Sequence, residues 1–299
     1  MRRLRGTKLR FAAAADQNRV IGPRSGALAH LSRRALFGWA AAILLANQLA
    51  YAVKDSSLAS PTELVTGLVA VGTFQYLAWF VIFRLVLRSR PAAASRSDWL
   101  VAATVSLLVF VPTERIIWVA ATAAGMQMLL YNRGDRRLRA AGVVLIALAT
   151  QELWGHLLFE LVASPVLRLE AGAVGRLLRT VRPGTAWHDN IVTAADGDGI
   201  VIQPYCSSFH NLSLALPCWL TIFHLRGDGE AMHWRAAVWG AAIAAAMIVL
   251  NIARLAAMAV SNHSYLYWHN GAGAQIFAVG ASLLVLLLCL HTPGRRVSA

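Results

Sequence analysis

Cysteine is scarce in this chain of 299 residues: Cys206, Cys218 and Cys289 are the only three. They make no close-spaced metal motif and no disulfide framework. Acidic residues are scarce as well, with 14 Asp and Glu against 28 Lys and Arg. Charged side chains make up only 14 % of the sequence, where an ordinary soluble domain carries nearer a quarter. No nucleotide, haem or flavin motif is evident, and no cofactor is expected. The formal charge of +14 would suit a nucleic-acid partner, but no basic groove with interleaved aromatics accompanies it. The arginines cluster instead at the ends of apolar runs, where they orient membrane spans.

Hydrophobic residues make up 58 % of the chain, in long runs that recur from residue 37 to residue 291. A hydrocarbon core takes roughly 20 helical residues to cross. The sequence therefore predicts an all-α polytopic membrane protein with about eight spans, near 36–54, 62–87, 98–112, 114–131, 139–162, 206–225, 236–259 and 274–291. Residues 1–35 form a basic cytoplasmic segment, 36–291 a single transmembrane domain, and 292–299 a cytoplasmic tail. Ser32-Arg33-Arg34-Ala35-Leu36-Phe37 faintly resembles a twin-arginine export signal, but two basic residues anchoring the inner end of span one is the better reading. Arg88, Arg90 and Arg96, then Arg133, Arg136, Arg137 and Arg139, then Arg226 and Arg235 fall in alternate connections. That alternation puts both chain ends inside.

One outer connection is sizeable, residues 163–205. Val166 through Val181 mixes Leu167, Val174, Leu177 and Leu178 with Arg168, Arg176 and Arg179, a pattern suited to an interfacial helix. Ile191-Val192-Thr193 and Gly199-Ile200-Val201-Ile202 flank turn residues and predict a small β-hairpin. Pro204 then ends the strand before a helix expected to open near Cys206.

The topology places Cys206, Arg254 and His269 at one membrane face, although they lie far apart in sequence. A thiol at a helix N-terminus meets unpaired N–H groups, which would depress its pKa and hold an oxyanion. A buried cysteine without a chemical role fits the same position. Ser207 and Ser208 add small polar groups. Asn251 and Arg254 lie three residues apart on one helical face. An arginine at that depth is paired, functional or snorkelling to the interface. His269, in the expected outer loop 265–271 with Asn270 beside it, supplies proton transfer near neutral pH. Glu152, His156 and Glu160 repeat every four residues and would line one helical face, as a proton path, a ligand strip or a structural network. His210 lies four residues beyond Cys206. A zinc site from Cys206, His210, His263 and His269 lacks a compact motif, and no metal is expected.

The pieces Pro204-Tyr205-Cys206-Ser207-Ser208-Phe209, Asn251-Ile252-Ala253-Arg254-Leu255 and His269-Asn270-Gly271 resemble the exosortase/archaeosortase family. The resemblance covers residues 37–291 in organisation, with its specific signal in 187–275. It implies a cysteine protease or transpeptidase of the bacterial inner membrane, with Cys206 as nucleophile and Arg254 and His269 completing the site. It also implies substrates that carry a C-terminal sorting signal: a short motif, a membrane span and a basic tail. Bacterial members are linked to surface-protein sorting and exopolysaccharide production. Where the family commonly has Cys-Ser-Gly, this chain has Cys206-Ser207-Ser208, which gives up glycine's backbone freedom. The acceptor is not specified. The rival reading is a transporter or non-enzymatic assembly subunit for an anionic or lipid-linked substrate.

Overall fold

The computed structural model describes residues 31–55, 72–111, 113–194 and 197–292. Ten α-helices are present among them: α1 (Arg33–Asp55), α2 (Thr73–Leu87), α3 (Arg96–Leu108), α4 (Glu114–Tyr131), α5 (Arg136–Ala149), α6 (Gly155–Val181), α7 (Ser208–Arg226), α8 (Trp234–Met258), α9 (Asn262–His269) and α10 (Ala272–His291). Four stretches are long and apolar enough to cross a membrane: Arg33–Lys54, Arg136–Val181, Trp234–Met258 and Ala272–His291. The expected third span is shorter than predicted, because α3 has 13 residues and ends where the chain turns toward Thr113. Of the expected second span, residues 62–71 lie outside the described residues, and α2 supplies 15 residues. Most of the basic N-terminal segment, the first connection and the tail beyond Thr292 also lie outside them.

The first five helices enclose one apolar core, with Phe37, Trp79, Val105, Trp118, Met128 and Leu145 buried in it. Small residues bring α4 and α5 together. A Cβ on Gly142 would lie 2.5 Å from the Gly125 carbonyl oxygen, so only glycine permits this approach. The buried carboxylate of Asp98 is fully partnered. It accepts from the Ser95 N–H in a capping box, from Arg33 Nε at 2.9 Å and from Gln127 Nε2 at 2.9 Å.

The expected interfacial helix 166–181 is not a separate element. It is the far end of α6, which continues α5 through a π-turn at Thr150–Trp154. The combined helix runs 46 residues, roughly 70 Å at 1.5 Å per residue, against a hydrocarbon core of about 30 Å. Its arginine-bearing end can therefore extend well beyond such a core. Gly155 sits where the π-turn closes, and a Cβ there would meet the Thr150 carbonyl at 2.7 Å.

The predicted hairpin gains a strand. Ala186–His188 (β1), Ile191–Thr193 (β2) and Gly199–Val201 (β3) form an antiparallel sheet in the order β1-β2-β3. Its first turn has two residues, with Asp189 in the left-handed region at φ 51°. Trp187 seats the sheet on α6: its ring fills the hollow left by Gly172 and Gly175, with Arg179 4.5 Å above the ring centroid. Beneath the sheet, Val192, Ile200 and Ile202 join Leu167, Ala171, Val174 and Leu178 of α6 and Leu255 of α8 in a second core. Cys206 belongs to that core.

Candidate active site

The backbone around the cysteine differs from the expected helix start. Pro204–Cys206 is one 3-10 turn, and α7 begins at Ser208 after Ser207 has resumed an extended conformation. The first N–H of α7 is already used, since Ser208 N donates to Glu170 Oε1 at 2.6 Å. Ser207 N donates to the Pro204 carbonyl, and Cys206 N to that of Gln203. The expected depression of the thiol pKa is overturned by burial. Burial pushes the Cys206 thiol up from its ordinary value, while the Arg254 charge pulls it partly back.

The structure brings Cys206, Arg254 and His269 together. Cys206 Sγ lies 3.7 Å from His269 Nε2. The other ring nitrogen, Nδ1, is 2.7 Å from Asn270 Oδ1. An amide oxygen only accepts, so Nδ1 carries the proton and Nε2 faces the thiol as a base. Tyr265 stacks on the imidazole with ring centroids 4.8 Å apart and planes inclined by 14°. His269 ends α9, a short helix where the sequence suggested a loop. Ser261 caps that helix by accepting from Ser264 N.

Arg254 is half-buried on α8. Its Nε and Nη2 donate to the Trp268 carbonyl at 3.3 and 3.1 Å, next to His269 in sequence. Its guanidinium lies over the Phe277 ring, 4.6 Å from the centroid. No hydrogen bond occupies Nη1 among the described residues. The helix N–H groups proposed as oxyanion donors are turned elsewhere at Ser208, which leaves this guanidinium as the positive group beside the thiol.

Asn251, fully buried three residues before Arg254, holds the backbone of the cysteine turn. Its Nδ2 donates to the Cys206 carbonyl at 2.9 Å and approaches Ser208 Oγ at 3.3 Å. Its Oδ1 accepts from Asn211 Nδ2 at 2.9 Å. Ser207 and Ser208 are buried beside it.

The remaining predicted residues divide. Glu152 sits in the π-turn, where the four-residue register with His156 is broken. Its carboxylate accepts from Gln75 and from Gln151 Nε2 within the helical bundle, away from the cysteine. His156 and His210 share a cavity of about 220 Å³ lined also by Gln151, Phe159, Tyr205 and Phe209. His210 does not lie on a common helical face with Cys206, because the thiol precedes α7. Among the described residues, no group of three or more His, Cys, Asp or Glu side chains is placed to hold a metal ion.

Two contributors escaped the sequence reading: Glu170 and the Trp268 carbonyl. Glu170 carried a signal, because it interrupts the apolar stripe Leu167, Ala171, Val174, Leu178 with an acid. The carbonyl carried none, since any residue supplies one. Searches against protein-family models, curated proteins and solved structures find no match to this chain.

Proposed function

We propose that this chain is a membrane-embedded cysteine acyl-transferase of exosortase type, which cleaves proteins carrying a C-terminal sorting signal at the outer face of a bacterial inner membrane. The observation that carries the reading is the meeting at one point of three side chains from a turn and two helices. A thiol lies 3.7 Å from a histidine nitrogen oriented by an amide, with an arginine anchored to the adjoining carbonyl. The topology that goes with it has eight spans and both ends cytoplasmic. The helices at the expected span positions and the alternating arginines support it.

The proposed reaction uses these groups as follows. As Cys206 Sγ attacks the carbonyl carbon of a peptide bond just outside the substrate's span, its proton passes to His269 Nε2. The Asn270 amide holds the imidazole in the accepting tautomer. The carbonyl oxygen becomes an oxyanion, and the guanidinium of Arg254, fixed through Nε and Nη2, offers Nη1 to it. Collapse breaks the C–N bond, and the leaving amine takes the proton from Nε2. A thioester on Cys206 remains. Deprotonated by the same nitrogen, water completes proteolysis and an amine completes transpeptidation. The raised thiol pKa favours a neutral thiol–imidazole resting pair, so ionisation accompanies attack.

The test is intact mass after an acyl-enzyme trap, in membranes containing C-terminally anchored substrates. The expected result is a substrate-derived adduct on Cys206 that is lost in Cys206→Ala. Full turnover by that variant would sink the reading.

The second reading, a transporter or assembly subunit, draws on the cavity shared by His156 and His210. Beside it is a more apolar cavity of about 450 Å³ lined by Val143, Ile146, Leu212, Leu216 and Leu220. This reading needs no thiol, so it predicts undiminished function in a variant without any cysteine.

A further inference from the structure

Glu170 is a buried acid that the chemistry above does not use. It is 6 % exposed on α6, within the second core. One carboxylate oxygen takes the Ser208 N–H at 2.6 Å, and the other is buried with no hydrogen-bond partner among the described residues. A carboxyl kept out of water with half of its capacity unused is costly, and a helix cap alone does not require one: serine, threonine or asparagine would serve.

Its placement supplies a reason. The turn holding Cys206 is gripped from two sides by different helices. From α6, Glu170 holds the Ser208 N–H; from α8, Asn251 holds the Cys206 carbonyl and reaches Ser208 Oγ. The grip spans Cys206–Ser208, so the thiol's direction toward His269 is set by α6 and α8 rather than by α7 itself. Arg254 on α8, His269 and Tyr265 on α9 and Glu170 on α6 lie near the thiol, among apolar residues of the second core. The Arg254 charge favours a thiolate at Cys206.

We propose that Glu170 is a positioning residue of this site: it fixes the turn that presents the Cys206 thiol. Its effect on the thiol holds whatever the substrate, while its use in turnover rests on the acyl-transfer reading. Glu170→Ala removes the acceptor for Ser208 N, whereas in Glu170→Gln the amide oxygen still accepts from it.

The experiment uses the full chain in lipid nanodiscs and iodoacetamide as probe. Alkylation is followed against pH at each cysteine by peptide mass spectrometry, so that Cys218 and Cys289 serve as internal references. In E170A the Cys206 rate at the high-pH plateau changes several-fold, while in E170Q it stays near wild type and Cys218 is unchanged in both. A Cys206 profile in E170A superimposable on wild type overturns the proposal, even if the melting temperature falls. Equal changes in E170A and E170Q also overturn it, because the Ser208 contact then does not set the rate. Should E170A fail to fold, hydrogen exchange on the wild-type protein decides. The Ser208 amide exchanges slowly if the grip is real, and fast exchange there rejects it. No substrate enters this test, so its failure is distinct from failure to trap an acyl-enzyme.

Discussion

The bundle formed by α1 to α5 and the region around Cys206 are built on different principles. The bundle is held by shape: large apolar side chains such as Trp79 and Leu145 fill it, and glycines let α4 and α5 meet. Its buried charge, Asp98, is matched by donors on every side. The cysteine region has a smaller core, and directed hydrogen bonds from Glu170, Asn251, Arg254 and Asn270 set its geometry. Packing tolerates small adjustments at modest cost, whereas a nucleophile must face its base within a fraction of an ångström. The comparison teaches that damage in the first region should appear as lost stability, and in the second as lost reactivity.

The largest effect expected is at the thiol and its base. Cys206→Ala abolishes product from an anchored substrate while the protein remains folded. His269→Ala lowers turnover by about 10²- to 10⁴-fold, the range of a missing general acid–base. Release of the substrate's C-terminal fragment in membranes measures both.

The comparison itself is tested by a pair of truncations. Leu145→Ala empties space in the bundle and costs about 2–5 kcal/mol of stability, with the alkylation rate of Cys206 in the folded protein unchanged. Asn251→Ala costs less, about 1–3 kcal/mol, because it strands the Cys206 carbonyl and the Asn211 amide. It nevertheless alters the Cys206 rate several-fold. Thermal denaturation in detergent read alongside alkylation separates the two. Equal effects on Cys206 would erase the distinction between the regions.

How much of this was legible follows the same division. Apolar runs, basic connections and glycine-rich turns are local signals, and they placed most of the helices, β2, β3 and the cysteine near a helix entry. Cys206, Arg254, His269 and Asn270 were legible as one candidate site, and the structure brings them together. The fifth span was expected to end at 162 and a separate helix to follow, because arginines enter the pattern beyond it, while the structure carries one helix through Pro165 to Val181. The third strand was missed because Ala186-Trp187-His188 has no alternation of its own and depends on the hollow at Gly172 and Gly175. The direction of the thiol shift was misjudged because helix-terminal N–H groups are visible in sequence as available, while the burial of Cys206 in the second core, which raises its pKa, is not.

A smaller effect concerns pH. Because burial raises the Cys206 pKa, iodoacetamide should react with it in wild type at higher pH than with an exposed cysteine. The sign for Arg254→Gln follows from the same balance. Removing a cation that favours the thiolate moves the midpoint higher still, so the rate near neutral pH falls several-fold. A downward shift would mean that Arg254 does not act on the thiol through its charge.

The smallest effect belongs to Asn270, and its size tests how the histidine is held. Three contacts restrain the imidazole: the thiol, the stacked ring of Tyr265 and the amide of Asn270. Only the amide discriminates between tautomers, because its oxygen demands a proton on Nδ1 while stacking is indifferent to it. In Asn270→Ala the ring therefore stays in place but divides between two tautomers, one of which turns an N–H toward Sγ and cannot accept its proton. If neither tautomer is strongly preferred, turnover falls only about twofold to tenfold, with KM unchanged, since population rather than placement is altered. Nitrogen-15 shifts of a labelled histidine would show Nδ1–H dominant in wild type and a mixture in the variant. A hundredfold loss with the tautomer unchanged would instead make Asn270 a group that contacts substrate, and would move the specificity of the site from α8 toward the turn between α9 and α10.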